Sequence, residues 1–216
     1  ALATEPHLQK ITENLTYEDL KIQHNSFKPY ACCKHAHAAV YGAQVLRGHH
    51  GIEVQDIAEV ELKVNNITDF LINNPNPQNV YGCKFSIQYC TAAALVYGYA
   101  GVDEFSTKAR NNLAVQQLMG KIKVVKDAEQ EAINKENPDK LASKIIITLN
   151  DGTQYAMQVD YPKGDPENTM TWDESKEKFM ALTVPVCGKQ KAEAICTLVK
   201  DMENAADIAE AFKKIF

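Results

Sequence analysis

A short stretch near the N-terminus, SFKPYACCKHAHAAVYGA at positions 26–43, concentrates residue types that could carry out chemistry. It contains two lysines, two adjacent cysteines and two histidines close together. Such residues suit three kinds of site: a metal centre, a reactive cysteine, or a pocket for an anion. Their spacing, and the elements that would position them, decide among these interpretations.

Metal binding and cysteine chemistry fit the spacing poorly. Structural zinc sites pair ligands across about two to four residues and need a second pair, which Cys32, Cys33, His35 and His37 do not offer, so no metal is predicted. A disulfide between adjacent cysteines would be strained, and buried thiols are a simpler explanation. A cysteine nucleophile with His37 as its base stays an alternative, because His37 follows Cys33 by one helical turn.

The anion pocket accounts for more of these residues. A helix is predicted from about Cys33 to His50, with Gly51 ending it. Its N-terminus offers unpaired N–H groups and a partial positive charge. Lys28 precedes this end, Lys34 lies at it, and His37 lies in the first turns.

A second helix is predicted in SIQYCTAAALVYG, from an N-cap at Ser86 to Gly98. Tyr89 lies in its first turn, where the helix field should make the hydroxyl more acidic. A lysine, a histidine and a tyrosine near two helix starts could bind carboxylates and move protons without a metal. Spacing alone favours the alternative that His37 and Tyr89 are buried core residues bonded to the backbone.

The remaining patterns predict an α+β fold, with a small antiparallel sheet of about four strands covered by helices. Alternating residues predict strands in DIAEVELKVN, in KIKVVK and on both sides of Asp151-Gly152, a pair typical of tight hairpins. The segment 65–84 is rich in Asn and Pro and predicts a long loop. Thr171 and Glu174 predict a capping box that starts a helix to Leu182.

Three regions are predicted: a connecting segment at 1–26, the α+β domain at 27–183, and a helical segment at 184–216. The last holds two amphipathic patterns, at 189–201 and 204–216, with Ile195, Leu198, Val199, Ile208, Phe212 and Ile215 as apolar members.

Composition narrows the classes of function. The chain has 216 residues, 45% of them hydrophobic, and a net charge of −5, which does not suit nucleic-acid binding as a main role. It has no apolar run near the ~20 residues that cross a bilayer and no signal-peptide pattern, so a cytoplasmic protein is predicted. The six cysteines are predicted to be reduced thiols. The missing initial Met suggests a processed chain or part of a larger protein.

Three ordered motifs resemble the MmgE/PrpD family. FKPYACCKHAHAAVYGAQVLRGHHGIEVQDIAEVELKV resembles the start of the family's C-terminal region, which typically has a K-P-Y-P-x-C run, a His, and then a strand. KFSIQYCTAAALVYG is similar to an F-S-x-x-Y segment of the family, and ITLNDGTQYAMQVDYPKGDPENTMTWDESKEKF to an L-x-D-G…Y-P-K-G-D-P…K-F segment. The chain departs from the pattern at Ala31, and at Thr169-Met170, where the family has Pro and Asn-Pro.

The resemblance implies a fold and an activity. The family comprises 2-methylcitrate dehydratases, cis-aconitate decarboxylases and an iminodisuccinate epimerase, which act on small di- or tricarboxylates without a metal or organic cofactor. Its active site lies between a large helical domain and a smaller α+β lid. This chain would be the lid with the C-terminal helices that return to the absent helical domain.

The same resemblance favours Lys28, His37 and Tyr89 as catalytic residues, with Lys28, Lys34 and Ser86 binding substrate. The expected function is therefore part of a 2-methylcitrate dehydratase-like lyase with no cofactor, inactive without its helical half. The expected partners are a carboxylate substrate, the missing domain or a companion subunit, and further copies of the chain, with no nucleic acid and no membrane. An accessory or regulatory lid protein without catalysis, or an isomerase or decarboxylase of the same family, is the alternative.

Overall fold

A single mixed sheet forms the centre of the fold. The structure, a computed structural model, describes residues 7–11, 13, 20–213 and 215. Four strands, β1 (Ile57–Val64), β2 (Ile122–Lys126), β3 (Ser143–Leu149) and β4 (Gln154–Val159), are arranged in the order β2-β1-β3-β4. The predicted α+β class with a four-stranded sheet covered by helices is confirmed.

The direction of β2 differs from the expected antiparallel arrangement. β1 pairs antiparallel with β3, and β3 with β4, but β2 runs parallel to β1. A parallel pair requires a crossover between its strands, whereas an antiparallel pair needs only a short turn. Several helices separate β1 from β2 along the chain and provide that crossover.

Two helices form the main core with this sheet. α1 (His37–His50) contacts β3, β4 and α4 (Ile87–Tyr97), and the inward residues of β1 are fully buried. All positions from Ile87 to Leu95 in α4 are buried, as its almost wholly apolar or small sequence predicts. Each large aliphatic side chain buried in this core stabilises the fold by about 1.5–3 kcal/mol.

The ends of the two core helices follow the sequence signals. Gly51 and Gly98 end α1 and α4 with φ values of +60° and +82°, a conformation that glycine adopts without strain. Ser86 caps α4, since its hydroxyl accepts from the Tyr89 N–H at 3.1 Å. α1 itself begins at His37, after a short 3-10 turn at Lys34–Ala36, which is later than predicted.

The loop predicted at 65–84 is wrong, because two short helices form there. α2 (Asn66–Ile72) is capped by Asn65, whose side chain accepts from the Thr68 N–H at 2.8 Å. α3 (Val80–Lys84) is capped in the same way by Asn79. Asparagine is a preferred N-cap as well as a turn residue, so the same residues that suggested a loop start these helices.

The remaining α-helices follow along the chain. They are α5 (Thr107–Arg110), α6 (Leu113–Met119), α7 (Ala128–Glu136), α8 (Trp172–Cys187), α9 (Lys189–Lys200) and α10 (Ile208–Lys213). α7 had no counterpart in the sequence prediction. In the described chain, no helix is both long and apolar enough for a membrane span.

The C-terminal helices depart from their predicted bounds. The capping box of Thr171 and Glu174 starts α8 as predicted, but the helix continues past Leu182 and through the expected regional boundary, with Pro185 inside it. α9 packs on α8, whereas α10 covers only part of the pattern expected at 204–216, of which residues 214 and 216 lie outside the described chain. Residues 1–6, 12 and 14–19 of the predicted connecting segment also lie outside it, and the division into three regions stays a prediction.

Candidate active site

Three backbone hydrogen bonds position the segment that carries Lys28. The Phe27 N–H donates to the Gly164 carbonyl at 2.8 Å, before the lysine. After it, the Ala31 N–H donates to Ala100 at 2.9 Å, and the Cys33 N–H donates to Lys84 at 2.9 Å. Three separate parts of the chain thus hold an otherwise irregular segment in one path.

This segment forms one wall of a cavity of about 700 Å³. α8 and the chain at 99–104 contribute further walls, and much of the lining is apolar, including Pro29, Phe85 and Leu182. The volume suits a small organic molecule, since ligand pockets commonly enclose about 300–1,000 Å³.

Three lysines, Lys28, Lys84 and Lys178, line this cavity together with Asp103 and Glu104. The Lys178 ammonium donates to the Lys28 carbonyl and so ties α8 to the Lys28 segment. The Glu104 carboxylate accepts from the Gly101 N–H at 2.8 Å, which orders the loop between them. An anion in the cavity would therefore meet more cationic side chains than anionic ones.

Lys28 is the predicted catalytic residue that the structure places on the cavity wall, with its side chain exposed. His37 lies behind the wall and is 1% exposed. Its Nε2 is 3.4 Å from the Cys32 carbonyl oxygen, and its ring packs edge-on against Tyr30 with centroids 5.0 Å apart. His37 therefore contacts two residues that line the cavity without lining it itself.

Tyr89 is also buried behind the wall. Its hydroxyl donates to the main-chain carbonyl of Glu104, and its ring lies 5.4 Å from that of Phe105. The expectation that the helix field makes this hydroxyl more acidic is wrong, because burial raises the pKa of Tyr89 well above its ordinary value. Its hydrogen bond fixes the position of a lining residue, while its catalytic role stays a prediction.

The two further residues predicted to bind substrate are engaged elsewhere. The Ser86 hydroxyl, fully buried, donates to the Asn74 carbonyl at 2.6 Å in addition to capping α4. The Lys34 ammonium lies 2.7 Å from the buried Asp165 carboxylate and donates to the Ser26 hydroxyl at 2.6 Å. Neither residue lines the 700 Å³ cavity in this arrangement.

The thiols near the cavity differ in their electrostatics. All six cysteines are free, and Cys32 and Cys33 both line the cavity. The side-chain interaction with Cys90, together with the neighbouring His37 ring, lowers the pKa of Cys32 to about 6. Burial raises the pKa of Cys90 itself. Among the residues that the structure describes, no group of three or more His, Cys, Asp or Glu is arranged to hold a metal.

The sequence reasoning missed Lys84, Tyr99 and Lys178. Lys84 and Lys178 each directly precede a phenylalanine in the motifs quoted above. This Lys-Phe pair is the one local feature of the sequence that could have pointed to them. Tyr99 lies just past the end of α4, and its hydroxyl donates to the Pro29 carbonyl, 70 positions away. Only the folded chain brings these residues together.

Comparisons with known proteins identify the family of the chain. The MmgE/PrpD C-terminal domain matches residues 30–204. Cis-aconitate decarboxylase of Mus musculus is 27% identical over 136 residues, which are 63% of this chain and 27% of that protein. Cis-aconitate decarboxylase-like protein oryM of Aspergillus oryzae is 32% identical over 136 residues, 62% of this chain and 27% of that protein.

A human relative, also named cis-aconitate decarboxylase, is 24% identical over 151 residues, 70% of this chain and 30% of its own length. The chain thus spans under a third of the length of these curated relatives. Because the domain match covers most of the residues that form the sheet, the core helices and the cavity, the chain belongs to the MmgE/PrpD family.

Proposed function

We propose that this chain forms the carboxylate-binding wall of a lyase that acts on small di- or tricarboxylates without a cofactor. The observation that carries the proposal is the cavity of about 700 Å³, which Lys28, Lys84 and Lys178 line. Its apolar lining suits the carbon skeleton of a small substrate, and its lysines match the charges of several carboxylates.

The lysines would act by holding charge. A hydrogen bond to a charged group contributes about 1.5–3 kcal/mol, so each lysine that contacts a carboxylate strengthens binding by roughly 10- to 100-fold. When a carboxylate leaves as CO₂, or a proton leaves from the carbon beside one, an electron pair remains on carbon and spreads into the neighbouring carboxylate. An ammonium group already in place stabilises that developing charge.

Two substrates are the candidates for this site. The named relatives are cis-aconitate decarboxylases, which supports cis-aconitate and a decarboxylation. The resemblance of the motifs supports 2-methylcitrate and a dehydration. Both reactions pass through charge on a carbon next to a carboxylate, so the lysines would serve either one.

Residues outside this chain would complete the site. We propose that a helical domain or a companion subunit covers the cavity, that the chain alone has no turnover, and that copies of it associate. In this arrangement His37 and Tyr89 would hold the wall in shape from behind, through Cys32, Tyr30 and Glu104.

Calorimetric binding tests the proposal on the chain itself. Cis-aconitate and 2-methylcitrate should bind, while propionate, which has a single carboxylate, should bind far more weakly. Lys28→Met and Lys84→Met should each weaken binding about 10-fold or more. Lys176→Met is the matched control, because Lys176 is exposed on α8 and does not line the cavity.

Equal binding of the tricarboxylates and propionate, or tricarboxylate binding that neither lysine variant weakens, would refute the proposal. Co-purification of a companion polypeptide, followed by turnover assays with both substrates, then distinguishes decarboxylation from dehydration. Full turnover of either substrate by the pure chain would overturn the need for a partner.

A further inference from the structure

We propose that Cys33 is a site of covalent modification for small electrophiles that carry a carboxylate, such as α,β-unsaturated carboxylic acids. The inference rests on the proposed function in that the same lysines draw the carboxylate into the cavity. The proposal goes further by assigning a nucleophile to that cavity. The lysines could bind substrate or act in catalysis without such a nucleophile.

Access distinguishes Cys33 from the other thiols. Cys32, Cys83, Cys90 and Cys196 are between 0% and 8% exposed. Only Cys33 and Cys187 are partly exposed, and Cys33 is the one of these two that lines the cavity. Cys33 is therefore the one partly exposed cysteine among the residues that line the cavity.

The position of Cys33 is fixed by the backbone on both sides. Its N–H donates to the Lys84 carbonyl at 2.9 Å, and its own carbonyl accepts from the Ala36 N–H at 3.0 Å. The first of these bonds joins the thiol-bearing residue directly to a lysine of the cavity. A reagent whose carboxylate binds the lysines is thereby held in the same cavity as the Cys33 thiol.

The lysines favour anions over neutral molecules of the same shape. An excess of positive charge on apolar walls raises the local concentration of counter-ions. Lys28, Lys84 and Lys178 provide that charge here, against Asp103 and Glu104. A reagent that carries a carboxylate should therefore react faster at Cys33 than its neutral amide does, relative to a thiol outside the cavity.

The chemistry needs no further reactant. The Cys33 thiolate attacks the β-carbon of an α,β-unsaturated carboxylate and forms a C–S bond. The π electron pair moves to the α-carbon, which takes up the proton that the thiol released. With a halogenated acid such as iodoacetate, the C–S bond forms as the C–I bond breaks, and iodide leaves with the electron pair.

Cys32 is the competing nucleophile, and access rather than ionisation should decide between the two. The lowered pKa of Cys32 raises the fraction of its thiol that is ionised. Nucleophilicity also falls as the pKa falls, which offsets part of that gain. Cys32 is 3% exposed, so an electrophile reaches its sulfur only after local opening of the wall.

The test compares iodoacetate with iodoacetamide on the purified chain, using peptide mapping by mass spectrometry to follow each cysteine. Cys187, at the end of α8 and outside the cavity, is the internal reference. The ratio of iodoacetate to iodoacetamide rates should be roughly 10-fold higher at Cys33 than at Cys187 at low ionic strength. Roughly 0.5 M salt should largely remove the difference.

Matched variants locate the effect. Lys28→Met and Lys84→Met should each lower the ratio at Cys33, whereas Lys176→Met should leave it unchanged. Cys33→Ser should abolish the adduct and Cys32→Ser should retain it. Prolonged incubation with maleate, an unsaturated dicarboxylate, should add to Cys33 and to no other cysteine.

Two sets of results separate this proposal from the proposed function. If tricarboxylates bind as proposed but Cys33 shows no preference for iodoacetate, or the adduct forms on Cys32, the modification site is overturned and the binding site stands. If maleate fails to modify Cys33, conjugate addition there is overturned. Preferential iodoacetate labelling of Cys33 without tricarboxylate binding supports the thiol site and refutes the proposed function.

Discussion

Gly164→Ala is expected to destabilise the fold and to displace the segment that carries Lys28. Gly164 has φ of +98°, and a Cβ atom there would lie 2.0 Å from the Phe27 carbonyl oxygen and 3.0 Å from Pro29 Cδ. Its own carbonyl accepts from the Phe27 N–H at 2.8 Å. An added methyl group must therefore push away residues on both sides of Lys28.

The magnitude follows from comparison with Gly152. Gly152 has φ of +88° in the exposed β3–β4 turn, and an added Cβ would meet no atom within 4 Å. Alanine at Gly152 should cost only the unfavourable φ, about 1 kcal/mol. Alanine at Gly164 has the same unfavourable φ. In addition, it should lose about 1 kcal/mol from the weakened hydrogen bond with the Phe27 N–H and about 1 kcal/mol or more from backbone strain. Gly164→Ala should therefore lower the free energy of unfolding by about 3 kcal/mol.

Urea unfolding of both variants, followed by circular dichroism, measures this difference. Gly164→Ala should lose about 2 kcal/mol more stability than Gly152→Ala. It should also weaken carboxylate binding, because Lys28 moves, whereas Gly152→Ala should not. Equal losses of stability in the two variants, or unchanged binding in a folded Gly164→Ala protein, would show that the close approach does not position Lys28.

Three further predictions concern single side chains. Burial lowers the pKa of His35, so the unfolded state binds more protons and the free energy of unfolding should fall as the pH drops through about 6.5. His35→Gln should reduce that fall when unfolding is measured at about pH 7.5 and about pH 5, and an identical pH dependence in the variant would contradict the prediction. Tyr89→Phe removes the hydroxyl that donates to the Glu104 carbonyl and should lower the free energy of unfolding by about 1 kcal/mol. Tyr97→Phe, which removes an exposed 3.1 Å hydrogen bond to the Ala109 carbonyl, should cost less, and equal losses in urea unfolding would argue against this. Thr171→Ala removes the capping box of α8 and should cost about 1 kcal/mol in the same assay, so an unchanged midpoint would count against the cap.

Much of the fold could be predicted because its signals are local. The glycines after α1 and α4, the serine that caps α4, and the threonine that caps α8 each act within one turn of the chain. The alternation in β1 likewise reflects the burial of one face of a strand. The failures were also local in origin, since asparagines at 65 and 79 serve as caps rather than loop residues.

The candidate site was only partly predictable, because its residues come from distant parts of the chain. Lys28 was identified beside a helix start, and the structure places it on the cavity wall. The Lys178 ammonium binds the Lys28 carbonyl from 150 positions away, a contact that no local pattern indicates. His37 and Tyr89 had the right residue types at the right spacing, but spacing does not tell a side chain that faces a cavity from one buried behind its wall.

Residue type, periodicity and motif order are properties of the chain, so they were enough to predict the α+β class, the family resemblance and the segment around Lys28. The folded chain was needed to show that β2 runs parallel to β1, that Lys84 and Lys178 line the same cavity as Lys28, and that Tyr89 is buried with a raised pKa. These outcomes depend on which surfaces pack together and exclude water. Burial and long-range contact arise from the whole chain at once, and no single segment encodes them.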